Sequence, residues 1–296
     1  MQKRTPKRPF GRDGQKRPFE KLQKVPTVPR VGRTQDRPVR NQSVEKTTKT
    51  SWGKEASWYA EHLEQGDTYH AKVILPNLER IIAPRAGMSI LEIGGGEGFI
   101  ARALAKAGAS VLVSDISPEL VHIGKEKGGG VEYRTSTAED LSWAKASSYD
   151  VVLAVLTLQN MEKVEPVLKE VSRVLRKNGR FIFVLNHPTF RIPKATEWGY
   201  DEEKGVQYRR VDAYLSARSE KMDMHPGKRN SKSFTYSYHR SLQDYMKGLR
   251  AAGLAITRLE EWISHKTSES GPRAKAENAA RKEFPLFMLI ETERKN

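Results

Sequence analysis

Apolar residues follow two rhythms along this chain of 296 residues. One is the short continuous run: MSILEI from Met88, ASVLV from Ala109, YDVVLAVL from Tyr149 and RFIFVL from Arg180. The other is helical, with apolar residues three and four apart, in FIARALAKAG, PELVHIGKEKG and VEPVLKEVSRVLRKNG. Short apolar runs between turn signals suit strands covered on both faces. Helical stretches between such runs suit right-handed crossovers in a parallel sheet. The pattern predicts an α/β fold, a doubly wound sheet with helices on both sides.

The punctuation agrees. Gly108 stands where the first of these helices should end, and Pro118 lies in the first turn of the second. VEYRTST adds a third strand before YDVVLAVL. Asn178-Gly179 closes the third helix, and RFIFVLNHP is the fifth strand. After Pro188 the rhythm lapses into a polar, aromatic-rich insert over about 188–240. SLQDYMKGLRAAG reads as another helix. LAITRLEEWIS and FPLFMLIETER read as two closing strands, separated by a long basic segment, HKTSESGPRAKAENAARKE. Upstream, residues 51–87 form a helical lead-in of one or two helices, broken near Gly66-Asp67 and around Pro76. The main domain is then 88–296.

Charge sets the first fifty residues apart. The net charge is +16, of which +11 falls within residues 1–50. That stretch is rich in Lys, Arg, Pro and Gln, nearly free of large apolar residues, and predicts a disordered basic tail. It suits nucleic acid phosphates or an anionic surface, and equally a solvated tail without a partner. The chain has no cysteine, which excludes disulfides, thiolate metal sites and cysteine nucleophiles. No apolar run is long enough to span a membrane, and no secretory h-region is seen. A cytoplasmic protein is expected.

The candidate chemistry begins at LEIGGGEG, residues 91–98. A strand, a glycine turn and a helix N-terminus together offer a polar ligand site. A dinucleotide fingerprint needs G-x-G-x-x-G or A. Here the third glycine comes one place early, and Phe99 occupies the position that must be small. No Gly-Lys-Ser/Thr follows, so this is not a P-loop. Asp115 ends the second strand, where a carboxylate suits ribose hydroxyls; Asp-Ile-Ser-Pro also suits a helix N-cap.

LEIGGGEG, SDIS at 114–117, TAEDL at 137–141, YDVVLAVLTLQNM at 149–161 and EVSRVLRKNGRFIFV at 170–184 together resemble a class I S-adenosylmethionine-dependent methyltransferase of the type 11, quinone-methyltransferase-like kind. The resemblance implies a Rossmann-like seven-stranded sheet with the last strand antiparallel, and S-adenosylmethionine as cofactor. It implies that Glu92, Gly94, Gly96 and Gly98 line the methionine end, that Asp115 binds the ribose, and that Ile116, Ala138 and Glu139 border the adenine. An aspartate is common before that alanine; Thr137 stands here, leaving Glu139 or Asp140 to replace it. Tyr59 and Tyr69 resemble the aromatics that close over the cofactor, and equally suit helix packing.

Acceptor identity should be written in the insert, because ligands lie beyond the carboxyl ends of parallel strands. Arg191, Trp198, Tyr208, Arg209, Arg210, Tyr214, Lys228 and Arg240 are the candidates, with Arg273 and Lys275 from the later loop. Guanidinium groups with aromatics suit a small planar or anionic acceptor. His187, His225 and His239 are candidate bases, each also suited to a structural hydrogen bond; they form no metal spacing. LTLQN after the fourth strand is not an Asn/Asp-Pro-Pro-aromatic box, which lowers the case for a nucleobase acceptor. Three functions compete: a small-molecule methyltransferase, an RNA or protein methyltransferase that captures substrate with the tail, and a binding protein without catalysis.

Overall fold

The computed structural model describes residues 50–225 and 232–295. The predicted tail lies outside these except for Thr50, as does Lys228. In chain order the helices are α1 (Ala56–Glu64), α2 (Leu75–Ile82), α3 (Phe99–Lys106), α4 (Pro118–Lys127), α5 (Glu165–Val174), α6 (Leu242–Ala251) and α7 (Ala274–Glu283). The strands are β1 (Ser89–Ile93), β2 (Ser110–Asp115), β3 (Val131–Thr135), β4 (Tyr149–Val155), β5 (Leu175–Asn186), β6 (Thr196–Asp201), β7 (Val206–Val211), β8 (Arg218–Asp223), β9 (Phe234–His239), β10 (Leu254–Trp262) and β11 (Phe287–Arg294).

Seven of the strands form one sheet, ordered β10-β11-β5-β4-β1-β2-β3. β1 to β5 pair in parallel, and β11 is antiparallel to both β5 and β10. This is the doubly wound sheet with one reversed strand that the apolar runs and the resemblance imply. Strand alternation sorts the core into two layers. Leu91, Ile93, Phe181, Phe183 and Leu185 face α5 and α6, whereas Ile90, Ile182 and Val184 face α2 and α3. A strand buried on both faces must be apolar at every position, hence the unbroken runs.

Two boundaries differ from expectation. α5 stops at Val174, before Asn178-Gly179. The N–H groups of Ser147 and Ser148, entering β4, donate to the carbonyls of Arg173 and Val174 at 3.0 and 2.8 Å. Those carbonyls are thus satisfied by the sheet, and the chain joins β5 from Leu175. Pro76 does not break the lead-in. A π turn over His70–Ile74 runs directly into α2, with Pro76 in its first turn, where a missing N–H is tolerated. The expected break at Gly66-Asp67 is present, between α1 and that turn.

The insert is not irregular. It folds as two antiparallel hairpins, β6–β7 and β8–β9. Their sequence hides this because neither face is consistently apolar. The basic segment before the last strand contains α7, which Gly271-Pro272 precedes. Among the described residues no helix is long and apolar enough to cross a membrane.

A buried ion pair fastens the lead-in to the sheet. Arg180 on β5 reaches Glu291 on β11 at 2.9 Å and donates to the carbonyls of Ile81 and Ile82 at 3.0 and 2.8 Å. Those carbonyls end α2, which turns away through left-handed Ala83. Phe183, fully buried and stacked on Phe181 at 5.0 Å, anchors the opposite layer. Truncating it leaves a cavity between β5 and α6, so Phe183→Ala should destabilise the fold by about 3–5 kcal/mol. Chemical denaturation followed by circular dichroism measures this.

Candidate cofactor and acceptor site

The chain order of the strands reverses at β1, which has β2 on one side and β4 on the other. Ligands of open α/β sheets bind at the carboxyl ends beside such a reversal. The glycine loop leaves β1 at this point, and its packing explains two of its glycines. Gly94 has φ +62°, and a Cβ there would strike the Thr157 hydroxyl, which follows β4. Gly98 has φ +82°, and its bare face is filled by the Tyr133 ring. The missing side chain at Gly98 leaves room for Tyr133 to donate to the Glu97 carbonyl at 3.2 Å. Gly96 is the open position, with Tyr59 and Leu120 no nearer than 3.8 Å to a Cβ built there.

The loop's N–H groups are already used. Those of Gly94 and Gly95 donate to the Ser114 carbonyl at 2.7 and 3.3 Å, and that of Gly98 donates to Gly95 at 3.0 Å. Gly96 N–H donates to Asp115 Oδ2 at 2.9 Å, and Ser117 N–H donates to Asp115 Oδ1 at 2.9 Å. Ser117, not Asp115, caps α4, accepting from Leu120 at 3.2 Å. Asp115 is therefore free to use its remaining lone pairs outward. A pyrophosphate would find few N–H donors left in this loop.

It would also meet the wrong charge. Glu92 is 2 % exposed and Glu97 0 %, with Asp115 beside them at 8 %. Glu97 forms ion pairs with Arg102 at 2.5 Å and Lys127 at 3.5 Å. Glu92 has no basic partner within ion-pair distance among the described residues, and its Oε2 accepts no hydrogen bond. Burial, with the Glu97 charge behind it, pushes the Glu92 carboxyl up to about 8. Burial also raises Asp115, against the N–H groups that hold it. The Tyr59 phenol is pushed upward by burial and then by Asp115, Glu97 and Glu92 in turn, so it faces all three acids. A buried acid without a basic partner, beside an open glycine, fits a ligand that brings positive charge.

Ile116 is 62 % exposed next to Asp115, an apolar plate beside the ribose position. Ala138 belongs to the core, and Glu139 is exposed. Asp140 accepts from Ser142 N–H at 3.0 Å, which turns it to its own loop instead of toward an adenine.

The lead-in holds Tyr59 over Gly96. Trp52 packs edge-on against Tyr59 at 5.3 Å. The β8–β9 hairpin holds the lead-in in turn. Ser51 N–H donates to the Phe234 carbonyl at 2.9 Å, and Phe234 N–H donates to Ser51 Oγ at 3.0 Å. His225 meets Glu55 at 2.5 Å and lies 4.3 Å edge-on from Trp58; Ser233 donates to the same Glu55.

That contact gives His225 a clasping place. His239 Nε2 donates to the Tyr214 carbonyl at 2.7 Å. His187 Nε2 meets Glu261 at 2.7 Å, while Nδ1 accepts from Thr189 and Phe190 at 3.2 and 3.3 Å. Burial lowers the His187 pKa, in keeping with a neutral ring. His225 and His239 lie at opposite ends of their hairpin, about 17 Å apart along the strand. The structure does not bring the three candidate bases together.

The acceptor candidates also divide. Tyr214 accepts from Leu242 N–H at 3.0 Å, and Arg240 donates to the Met161 carbonyl at 2.7 Å and to that of Glu162. Both brace the start of α6. Arg210 pairs with Glu197 at 2.5 Å and Asp212 at 3.0 Å, and shares the outer face of β7 with Tyr208. Arg273 pairs with Glu202 and lies 4.4 Å over Tyr200. The inner face of the same hairpin carries Trp198 and Arg209, 4.9 Å apart. Trp198 meets Phe284 at 5.4 Å, Phe284 meets Phe190 at 5.5 Å, and Phe190 meets His187 at 4.8 Å. This aromatic wall rises from the carboxyl end of β5. Tyr69 is at the same rim, 3.3 Å from Ser264 Oγ and edge-on to Phe287 at 5.5 Å; its neighbour in charge is Arg191, not Asp115.

Glu97, Tyr133, Thr157, Phe190 and Phe284 belong to these walls and were not among the sequence candidates. Glu97 could have been found as an acid set between glycines, and Thr157 as a residue just beyond β4 at the reversal point.

Residues 91–183 match the family described as "Methyltransferase domain". The chain is 35 % identical over 104 residues to the ubiquinone/menaquinone biosynthesis C-methyltransferase UbiE of Rubrivivax gelatinosus, covering 35 % of this chain and 41 % of that protein. It is 31 % identical over 106 residues to the ubiquinone biosynthesis O-methyltransferase of Xanthomonas axonopodis pv. citri, covering 34 % and 44 %. The chain thus spans less than half the length of these curated relatives. An S-adenosylmethionine-dependent methyltransferase structure from Mesorhizobium loti shares the fold, with a TM-score of 0.62 and 24 % identity, over 78 % of this chain and all of that one. Residues 91–183 thus match a methyltransferase domain, within a fold that this S-adenosylmethionine-dependent methyltransferase structure shares. The family match ends before the insert.

Glu92 and Gly98 give tests that need no acceptor. Glu92 keeps its proton to about pH 8 when folded, against an ordinary value of 4.5. The stability this lends is complete below pH 4.5 and is lost as pH rises through 8. Wild-type stability should therefore fall between those pH values relative to Glu92→Gln, measured by denaturant titration at each pH. Gly98→Ala should destabilise by at least about 1–2 kcal/mol from its left-handed backbone alone, read from the same titrations.

Proposed function

We propose that this chain transfers the methyl group of S-adenosylmethionine to a small planar or anionic acceptor held between β5, the β6–β7 hairpin and α7. The observation that carries this reading is the cluster of three buried acids, Glu92, Glu97 and Asp115, around an open Gly96, with Glu92 lacking a basic partner among the described residues. S-adenosylmethionine brings a sulfonium and an ammonium to such a site and supplies an already activated methyl group. Asp115 would accept from the ribose hydroxyls, Ile116 would lie against the adenine, and Tyr59 would cover the loop. The chain's own work is alignment and exclusion of water. With both ring nitrogens of His187 and Nε2 of His239 engaged, no general base is assigned; an acceptor that ionises by itself needs none. The relatives' names attach them to quinone biosynthesis, and a phenolic ring falls within the planar class that the aromatic wall suits.

The net charge of +11 in residues 1–50 favours a second reading, capture of an RNA acceptor. Under that reading, removing the tail weakens activity in a salt-dependent way; under the first it does not.

Calorimetry on the full chain tests the cofactor. S-adenosylmethionine should bind and NAD should not. Asp115→Ala should weaken binding about 10- to 100-fold, the value of hydrogen bonds to a charged group, with a melting curve to show that the variant is folded. Equal binding of NAD, or an indifferent Asp115→Ala, would count against the proposal.

A further inference from the structure

Among the described arginines of the insert, Arg191 is the one without a side-chain partner. Its neighbours in the insert all have partners: Arg209 donates to the Phe190 carbonyl, Arg210 pairs with Glu197, and Arg240 donates to Met161. Arg191 has no carboxylate, carbonyl or ring partner for its side chain among the described residues. It is open to solvent, yet protein surrounds it closely enough that burial draws its pKa below the ordinary arginine value. Arg209 adds like charge, and its own pKa is lowered by burial and then by Arg191. Isolated surface arginines carry no such mutual penalty.

The backbone beneath is set in advance. Arg191 N–H donates to the His187 carbonyl at 2.9 Å, and His187 Nδ1 holds the two N–H groups in between. The turn that carries Arg191 is thus fastened to the carboxyl end of β5. β5 is two strands from β1, a lateral distance of about 10 Å. A single ring with its substituents spans that gap. Phe190, Trp198 and Phe284 supply the flat wall beside it.

We propose that Arg191, supported by Arg209, anchors an anionic substituent, a carboxylate or a phosphate, on a planar ring acceptor. Planar, bidentate recognition of such groups is what a guanidinium does best. The proposal rests on the methyltransferase reading for its orientation and deepens it by making Arg191 a specificity-determining residue.

The test uses the full chain with benzoate, phenyl phosphate and benzyl alcohol as probes, each followed by ligand-observed NMR titration, with S-adenosylmethionine binding measured on the same samples. One or both anions should bind saturably and benzyl alcohol at least 10-fold more weakly. Which anion binds better distinguishes the carboxylate from the phosphate. Arg191→Gln should lose at least 10-fold for the anion, and Arg191→Lys should retain part of it. Arg85→Gln, on an exposed turn before β1 at the opposite end of the sheet, should change nothing. Failure of both anions to bind, equal binding of the neutral ring, or anion binding that survives Arg191→Gln would overturn the proposal. Anion binding lost in Arg191→Gln but without S-adenosylmethionine binding would overturn the methyltransferase reading and leave the anion anchor standing.

Discussion

Three acidic side chains buried around one glycine loop, only one of them paired with basic residues, are the constraint on which this site depends. Asp115 meets its share by accepting the N–H groups of Gly96 and Ser117. That fastens the loop after β1 to the turn after β2, so the two halves of a ligand site become one rigid edge. Glu97 leans on Arg102 and Lys127. Glu92 has a backbone N–H from Ala101 but no basic partner, and it keeps its proton well into the neutral range. A buried acid can be silenced in that way at little expense. It can also be re-ionised by an incoming cation, which makes the empty and the liganded loop electrostatically different.

The two covers of the site share a scaffold. The β8–β9 hairpin grips the lead-in through Ser51 and Glu55, and the lead-in carries Tyr59 over Gly96. The β6–β7 hairpin, in the same insert, carries Trp198 and Arg209 to the β5 rim. One insertion after β5 therefore serves both ends, holding the lead-in over the glycine loop and placing Trp198 and Arg209 at the β5 rim. Histidines placed in this region are mostly spent on that scaffolding. His225 clasps Glu55, and His187 stiffens the turn under Arg191.

The sheet and the loop were legible in the chain itself. A strand covered on both faces has no polar positions to spare, so β1, β2, β4 and β5 print as apolar runs with little ambiguity. The acid at the end of β2 and the glycines after β1 follow from local geometry, since strand, turn and helix are adjacent in sequence. The ends of elements were less legible. α5 stops at Val174 because Ser147 and Ser148, far away in the chain, take its last carbonyls. No local signal announces that.

The same reason divides the site. Asp115, Gly96 and Glu92 lie within twenty-four residues of one another, and short-range pattern was enough to pick them out. Whether Gly98 faces a ligand or the Tyr133 ring, whether Arg210 or Arg191 is the free guanidinium, and whether three histidines meet or stand apart depend on partners brought from distant segments. Composition marked the insert as rich in arginine and aromatics, but hairpin pairing decided which side chains share a face. By itself the sequence determined the repeating strand and helix units and the cofactor loop, because their physics is local. Only the tertiary structure decided which charges are answered, because an ion pair is defined by its partner and the partner is elsewhere in the chain.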